Sequence, residues 1–504
     1  MCTSETREIE RKYAVPDDAP VPSTASVDGV GHVVVRDTVV LDARYFDTPD
    51  LALLQHKITL RKRLGGSDEG WHLKLPGDGF RREIQHRITA SDVVPPELMV
   101  HLHAVLRGRD VNPVVQLTTS RTIHELRAAD AALLAELCDD AVTSTPSIAD
   151  VPQASWREWE VELHDGSPEL LDDVEAILVR AGASTDVGPS KLARALGPAL
   201  PSSAPAPTWP GSPRIGDVAR RYLVRESARL MDHDSGVRLH TDDAIHQMRV
   251  AARRLRSVLS SYRSLFAGQD GQELRIELKA LADSLGEARD SEVMLARLHA
   301  LLDEQPEDLV RGPVRERITE ALTERYHQAH AQALVFMSSP RYYTLLDRLD
   351  GLRTVEFTDA AEVGAADGLA AVFDRDWKRV RRAARIAEST SGAAHEEALH
   401  DVRKAAKRLR YGLDSVSDVL GKPARRAAKA ASAVTEILGD HNDSVITSEA
   451  IASLALEAHA RGEDTFTYGR MQGIESSRAS LSRDDYATAL HTLNGLRLEG
   501  WSRL

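Results

Sequence analysis

Cysteine is nearly absent: the 504 residues contain only Cys2 and Cys138, too few for a disulfide framework or a thiolate zinc site within the chain. Also missing is any apolar run of the roughly 18 residues that a membrane-crossing helix requires. The N-terminus lacks the basic-then-apolar pattern of a secretory signal, so a cytoplasmic protein with no membrane partner is expected. Positive charge is in the minority, with 64 Lys and Arg against 77 Asp and Glu and a formal net charge of −13. Nucleic acid is therefore an unexpected partner, and any anion site has to arise from local clustering of basic residues. What is present, 42% hydrophobic and 28% charged residues over a length sufficient for two or three domains, is the composition of a soluble globular chain.

The most informative stretch is Glu8-Ile9-Glu10-Arg11-Lys12. Strand side chains alternate faces, so Glu8, Glu10 and Lys12 share one face, and Ile9 and Arg11 take the other. Two carboxylates and an ammonium then project into one space, as a charged edge strand or as a site for a hard divalent cation such as Mg2+ or Mn2+. The first two hundred residues continue in short segments punctuated by Gly, Pro and Asp, including Val33–Val40, Ile58–Arg63, Trp71–Leu75, Glu83–Ile88 and Trp156–Leu163. Their charges recur at period two: Arg61 with Arg63, Lys74 among apolar neighbours, Arg81 with Glu83, and Glu158, Glu160 and Glu162 opposite Trp159, Val161 and Leu163. One such strand has a wet face; at least four with matched acids and bases predict a closed antiparallel barrel with a charged interior.

In order along about 190 residues, E-x-E-x-K at Glu8, Tyr45-Phe46-Asp47-Thr48-Pro49, Leu60-Arg61-x-Arg63, Lys74, Arg81-x-Glu83, Arg121, Glu160-x-Glu162 and Ser190-Lys191 resemble a CYTH domain, or triphosphate tunnel metalloenzyme. The resemblance implies an eight-stranded antiparallel tunnel that binds a linear triphosphate and Mg2+ or Mn2+. It assigns metal to Glu8, Glu10, Glu160, Glu162 and an acid on the preceding strand. Asp140 is favoured there, because it shares a face with Glu136 and Cys138, and Asp139 stays open; Glu158 is either a tunnel acid or a mouth residue. Lys12, Arg61, Arg63, Lys74, Arg121 and Lys191 would grip phosphate oxygens, with Arg81 and Glu83 part of the substrate site and Glu8, Glu10 and Lys12 its catalytic core. A triphosphate carries about four to five negative charges, so its transfer chemistry rests on positioning and neutralisation.

The expected first domain, residues 1–197, ends at a Pro/Ala/Ser-rich spacer, 198–213, and from Arg214 apolar residues recur at three and four. This remainder, 214–504, is predicted to be all-α and duplicated, with repeats at 214–350 and 363–504. His246-x-x-Arg249-x-x-x-Arg253-Arg254-Leu255-Arg256 returns as His400-x-x-Arg403-x-x-x-Lys407-Arg408-Leu409-Arg410 at an offset of 154. Leu285-Gly286-Glu287-Ala288-Arg289-Asp290 returns as Leu438-Gly439-Asp440-His441-Asn442-Asp443 at an offset of 153. On a helix, offsets of 0, 3, 7 and 10 fall within an arc of about 80°. His246, Arg249, Arg253 and Arg256 thus form one acid-free stripe, and His400, Arg403, Lys407 and Arg410 another, with Leu255 and Leu259 off the stripe and suited to the core. A solvated basic face normally interleaves acids at four-residue spacing, so the duplicated stripes point to an anion site.

The duplicated motif resembles a CHAD domain, the conserved-histidine helical domain. That resemblance implies two helical bundles whose stripes face a shared groove for inorganic polyphosphate, with Arg289 and Asp290 in its second motif and His441 standing where Arg289 stands. Three functions follow: a divalent-metal-dependent triphosphatase, most simply acting on tripolyphosphate, with a polyphosphate-binding helical half and association with polyphosphate bodies; a cyclase using the tunnel on ATP; or a non-catalytic polyphosphate binder. A pure anion binder has no use for the metal-holding acids, and no nucleobase signature is visible, so the first is favoured.

Overall fold

The computed structural model describes residues 3–77, 81–186, 190–200 and 213–496; most of the expected spacer, from residue 201 to 212, lies outside them. By their internal contacts, residues 1–204 and 205–504 form two compact units.

The first unit is one antiparallel sheet of ten strands, β1 (Thr3–Glu8), β2 (Glu10–Val15), β3 (His32–Val35), β4 (Val39–Asp47), β5 (Thr59–Leu64), β6 (Gly70–Pro76), β7 (Arg81–Arg87), β8 (Asn112–Arg127), β9 (Leu133–Pro146) and β10 (Ala154–Leu163). Their order is β1-β7-β6-β5-β4-β8-β9-β10-β2, with β3 added on β8. The ends of this path, β1 and β2, are consecutive halves of one segment interrupted at Ile9. β1 pairs with β7 and β2 with β10, so the sheet closes on itself and leaves no long edge. The expected eight strands become ten because that first segment is counted twice and β3 is extra. Val33–Val40 is likewise two strands, broken at Arg36-Asp37-Thr38, because β3 and the start of β4 pair with different parts of β8.

The barrel is inverted relative to a soluble sandwich. Apolar side chains point outward into three buried clusters, each roofed by helix. Leu60, Trp71, Leu73 and Ile84 pack under the short helices Pro96–Met99 and His103–Leu106. Tyr13, Leu137, Trp159 and Val161 pack under Leu170, Val174 and Leu178 of the helix Pro168–Arg180. Ala43, Leu117, Val142 and Trp156 pack under the helix Lys191–Leu196. With both hydrophobic demand and solvent handled outside, the inward positions are left to charge, and burial makes each of them depend on a partner.

The regular elements of the second unit are helices, the principal ones being Ile215–Asp232, Ala244–Ser261, Asp270–Ser284, Gly286–Asp303, Val314–Met337, Pro340–Gly351, Ala365–Glu388, Ala393–Asp414, Ser417–Ala460 and Phe466–Gly495. The first stripe lies on Ala244–Ser261 and the second on Ala393–Asp414, and these two helices pack together. Leu255 and Leu259 are in the core, as their offsets predict. The second motif opens the helix Gly286–Asp303 in the first copy but lies inside the long helix Ser417–Ala460 in the second, which bends instead at Gly421, where φ is +60°.

Candidate active site

The barrel encloses a cavity of about 630 Å³ lined by side chains from its whole circumference. Glu8, Glu10, Lys12, Arg61, Arg63, Lys74, Arg81, Glu83, Arg121, Glu160, Glu162 and Lys191 all reach it, and Tyr45, Asp68, Glu136, Cys138 and His164 join them. Pairing explains the convergence: Glu160 stands opposite Lys12 and Glu162 opposite Glu10 across β10 and β2, while Glu8 stands opposite Arg81 across β1 and β7.

Glu160 is the most heavily compensated acid. Lys12 Nζ lies 2.6 Å away, Arg121 Nη2 2.7 Å and Lys191 Nζ 2.6 Å. Burial alone would raise its pKa, but these three cations hold it well below the ordinary carboxylate range. Among the described residues, the carboxylates whose oxygens all lie within 4.8 Å of one another are Asp140, Glu158 and Glu160, an arrangement able to hold a cation. The ammonium of Lys191 already sits among them, 2.9 Å from Asp140, 2.8 Å from Glu158 and 2.6 Å from Glu160. Ser190 places that lysine in the first turn of its helix by accepting from the Ala193 N–H at 3.1 Å.

Asp140, not Asp139, points inward. It is fully buried and accepts Arg121 Nε and Nη2 at 2.8 and 2.7 Å, whereas Asp139 faces outward onto Arg157 at 2.8 Å. Asp140 itself does not line the cavity; it fixes Arg121 and Lys191, which do. Glu158 lies behind the cavity wall too, accepting the Trp156 indole N–H at 2.5 Å.

On the other side of the cavity the acids are less evenly compensated. Glu8 Oε1 meets Lys74 Nζ at 2.5 Å, but its Oε2 is buried with no partner. Glu10 contacts Lys12 at 3.1 Å and Arg81 at 3.9 Å. Burial, and then the neighbouring charges of Glu8 and Glu10, lift Glu162 to about 7 although Lys74 and His164 pull it down. Near the β5–β6 turn the imbalance reverses: burial and the charges of Arg61 and Arg121 lower Arg63 to about 9, and the Nε atoms of both Arg61 and Arg63 are buried without partners. Arg61 donates to the Tyr45 hydroxyl at 3.2 Å and lies 3.9 Å from Glu83, and Arg63 contacts Asp68. The cavity is thus uneven in charge, with a partnerless carboxylate oxygen on one side and partnerless guanidinium nitrogens on the other.

His72 was not anticipated from sequence. Its ring spans Glu83 Oε1 and the Asp68 carbonyl, each at 2.9 Å, and so ties the β5–β6 turn to the acid that faces Arg61. The signal was available, since His72 shares the inward face of β6 with Lys74.

In the helical unit the two stripes bring cations together in excess of carboxylates, Arg249 meeting Asp290 and Arg410 lying 3.9 Å from Asp414. Arg253 is held below its ordinary pKa by burial and by the charges of Arg249, Arg403 and Arg410, only partly offset by Tyr411. Burial, followed by Arg403, Arg253 and Arg410, lowers Lys407 to about 7. The Nε atoms of Arg249, Arg253, Arg289 and Arg403 are buried with no hydrogen-bond partner. The two stripes thus meet, with Arg253 close enough to Arg403 and Arg410 to feel both. Arg249 Nη1 donates to the Gly286 carbonyl at 3.0 Å and to Asp290 at 2.9 Å. Burial and Arg289 lower His246; His400 is exposed, and Arg256 half-buried. His441 is not in the groove: it is buried, its ring between Glu396 Oε2 at 2.5 Å and the Ala479 carbonyl at 3.2 Å.

The CYTH domain family matches residues 6–195 and the CHAD domain family residues 221–452. An uncharacterized protein of Mycobacterium tuberculosis, Rv2226, is 38% identical over 512 aligned positions, covering 97% of this chain and 96% of that one. The chain is a CYTH–CHAD protein. The tunnel described above is its CYTH domain, and the helical unit carries its CHAD domain. Among solved structures, PptA from Streptomyces chartreusis is 21% identical with a TM-score of 0.44, covering 55% of this chain and 99% of that one. The PH1819 protein of Pyrococcus horikoshii is 15% identical with a TM-score of 0.22, covering 35% of this chain and 91% of that one.

Proposed function

We propose that the CYTH domain hydrolyses a triphosphate, most simply inorganic tripolyphosphate, with Mg2+ or Mn2+, and that the CHAD domain binds inorganic polyphosphate. The observation that carries the first half is that one 630 Å³ cavity holds on one side Glu162, lifted to about 7, and a Glu8 oxygen without a partner, and on the other Arg61 and Arg63 with partnerless Nε atoms. Glu8, Glu10 and Glu162 suit a divalent cation: one Glu8 oxygen is an orphan, Glu162 is lifted to about 7, and carboxylate oxygens are the donors such ions prefer. When bound, the ion supplies neutralisation of phosphate charge and polarisation of a phosphoryl oxygen. Arg61, Arg63, Lys74, Arg81 and Arg121 bind and orient the phosphate chain, and Lys12, between Glu10 and Glu160, brings an ammonium to the junction of the two sides. Asp140, Glu158 and Glu160 hold Lys191 and Arg121 in place; Glu83 and Tyr45 hold Arg61. Hydrolysis needs little more than this positioning and neutralisation.

Phosphate release from tripolyphosphate, ATP, thiamine triphosphate and long polyphosphate, with Mg2+, with Mn2+ and with chelator, tests the reading. Release from tripolyphosphate that requires metal and disappears in Glu8→Gln and Glu10→Gln is expected. No release with either metal, or full activity in both variants, defeats it, and cyclic AMP from ATP would make the tunnel a cyclase.

For the CHAD domain the supporting observation is the meeting of two stripes in which the Nε atoms of Arg249, Arg253 and Arg403 are buried without a hydrogen-bond partner and Lys407 is lowered to about 7 by burial and its basic neighbours. Binding is expected to weaken steeply with salt, as each phosphate contact releases counterions. Arg253→Glu combined with Lys407→Glu should abolish it; a double variant that binds as tightly as the parent refutes the groove.

A further inference from the structure

The first stripe ends at Arg256, and beyond it lies a second gathering of arginine. Arg256 and Arg263 come from the end of the helix Ala244–Ser261 and the turn after it, Arg275 from Asp270–Ser284, and Arg375 and Arg379 from Ala365–Glu388. The helices Ala244–Ser261 and Asp270–Ser284 pack together, and Ser261 Oγ donates to the buried Asp376 carboxylate at 2.5 Å, pinning the third element beside them. Arg275 Nε is buried with no partner among the described residues, and its Nη1 donates to the side-chain oxygen of Gln272 at 2.6 Å. Arg379 lies 3.7 Å from Asp376, while among the described residues Arg256, Arg263, Arg275 and Arg375 have no carboxylate within ion-pair distance. Burial and the charges of Arg256, Arg379 and Arg263 hold Arg275 below its ordinary pKa. Burial raises Asp376 despite Arg379, Arg375 and Arg263, so the one acid present is a weak counter-charge.

Five guanidinium groups so arranged repel one another unless an anion joins them, and their planar forks match phosphate oxygens. The aromatic residues of the same segments, Tyr262, Phe266 and Trp377, are buried, which leaves no platform for base stacking. We propose that Arg263, Arg275, Arg375 and Arg379 form a second polyphosphate subsite, continuous with the first stripe through Arg256, that holds the part of a long chain extending beyond the groove. This rests on the polyphosphate reading of the CHAD domain and adds a direction and a length preference to it.

The test compares the full-length protein with Arg275→Ser/Arg379→Ser, using polyphosphate of ~10 and of ~100 phosphates at several salt concentrations. The subsite predicts that the variant loses about tenfold in affinity for the long chain and about 1.4 from the log–log salt slope, two contacts at about 0.7 each, with the short chain unaffected. Arg275→Lys/Arg379→Lys, which keeps the charge, should restore most of the long-chain affinity, separating a binding defect from a folding one. Equal losses at both lengths, or none at the longer, overturn the subsite. Failure of the unsubstituted protein to bind either length instead overturns the polyphosphate reading itself. Single-stranded RNA binding as tightly as the long chain, with the same loss in the variant, would make the patch a nucleic-acid surface and refute the proposal.

Discussion

Glu162 carries the charge imbalance of the tunnel in a single titration. Its folded pKa of about 7 lies above the ordinary 4.5, so the folded state binds the proton more tightly than the unfolded chain and stability falls as pH rises from about 4.5 to 7. Glu162→Gln should therefore stabilise the protein by about 1–3 kcal/mol at pH 8 and change nothing at pH 4, as measured by urea denaturation. Saturating Mg2+ or Mn2+ should stabilise the parent at pH 8 and the variant much less; equal stabilisation of both removes Glu162 from the metal site. Lys407 has the opposite sign. Its pKa near 7 leaves it neutral at higher pH in the free protein, and a polyphosphate ligand requires it charged. Affinity should be flat below about 7 and fall toward tenfold per pH unit above it, as one proton becomes linked to binding. Lys407→Arg, permanently charged, should flatten the profile; an unchanged slope would place Lys407 outside the groove. These two residues were legible in sequence as members of their motifs, but not as the titrating ones, because that depends on which neighbours burial leaves uncompensated.

At the scale of elements, the second motif of each CHAD copy shows how a helix is trimmed to seat an arginine. A Cβ on Gly439 would come 3.0 Å from Arg403 Nη2, whereas one on Gly286 would meet Arg249 Nη2 at 3.8 Å, an ordinary contact. The obstructing atom is the tip of a flexible side chain, so the fold can yield and Arg403 must move. Gly439→Ala should leave stability equal or raise it by up to about 1 kcal/mol through helix propensity, while weakening polyphosphate binding several-fold. Gly286→Ala should leave binding intact, and equal effects at the two sites, by titration with polyphosphate, would show that Arg403 is not positioned by this contact. The repeat was visible in sequence because both copies retain the same residue types at the same helical offsets. The unequal clearance was not, since it arises from how closely each second-motif helix approaches its stripe. In the barrel, likewise, period two marked the inward charges of β5, β6 and β10, but the break in Val33–Val40 depends on which stretch of β8 each half meets.

For the whole molecule, the two compact units predict separable defects. In the full-length protein, Arg61→Ala should raise KM for tripolyphosphate, because a fixed cation holds ground and transition states alike, and leave long-polyphosphate affinity unchanged. Arg253→Glu with Lys407→Glu should do the reverse, abolishing polyphosphate binding with tripolyphosphate kinetics intact. Loss of both properties in either variant would mean that one site serves both ligands.

The sequence by itself determined the two kinds of architecture, because a side-chain period of two or of about 3.6 is a property of the local backbone. It also determined that acids and bases share the inward face of several strands, and that basic residues repeat on one face of two helices. Only the tertiary structure decided how those charges are paired. It gave Lys191 to Asp140, Glu158 and Glu160, turned Asp139 outward to Arg157, left one Glu8 oxygen without a partner and Glu162 raised by its acidic neighbours, and placed His441 in the core. Spacing along a chain fixes which face a residue occupies; the partner it meets there comes from strands and helices distant in sequence, and in a buried site that partner sets both its charge and its role.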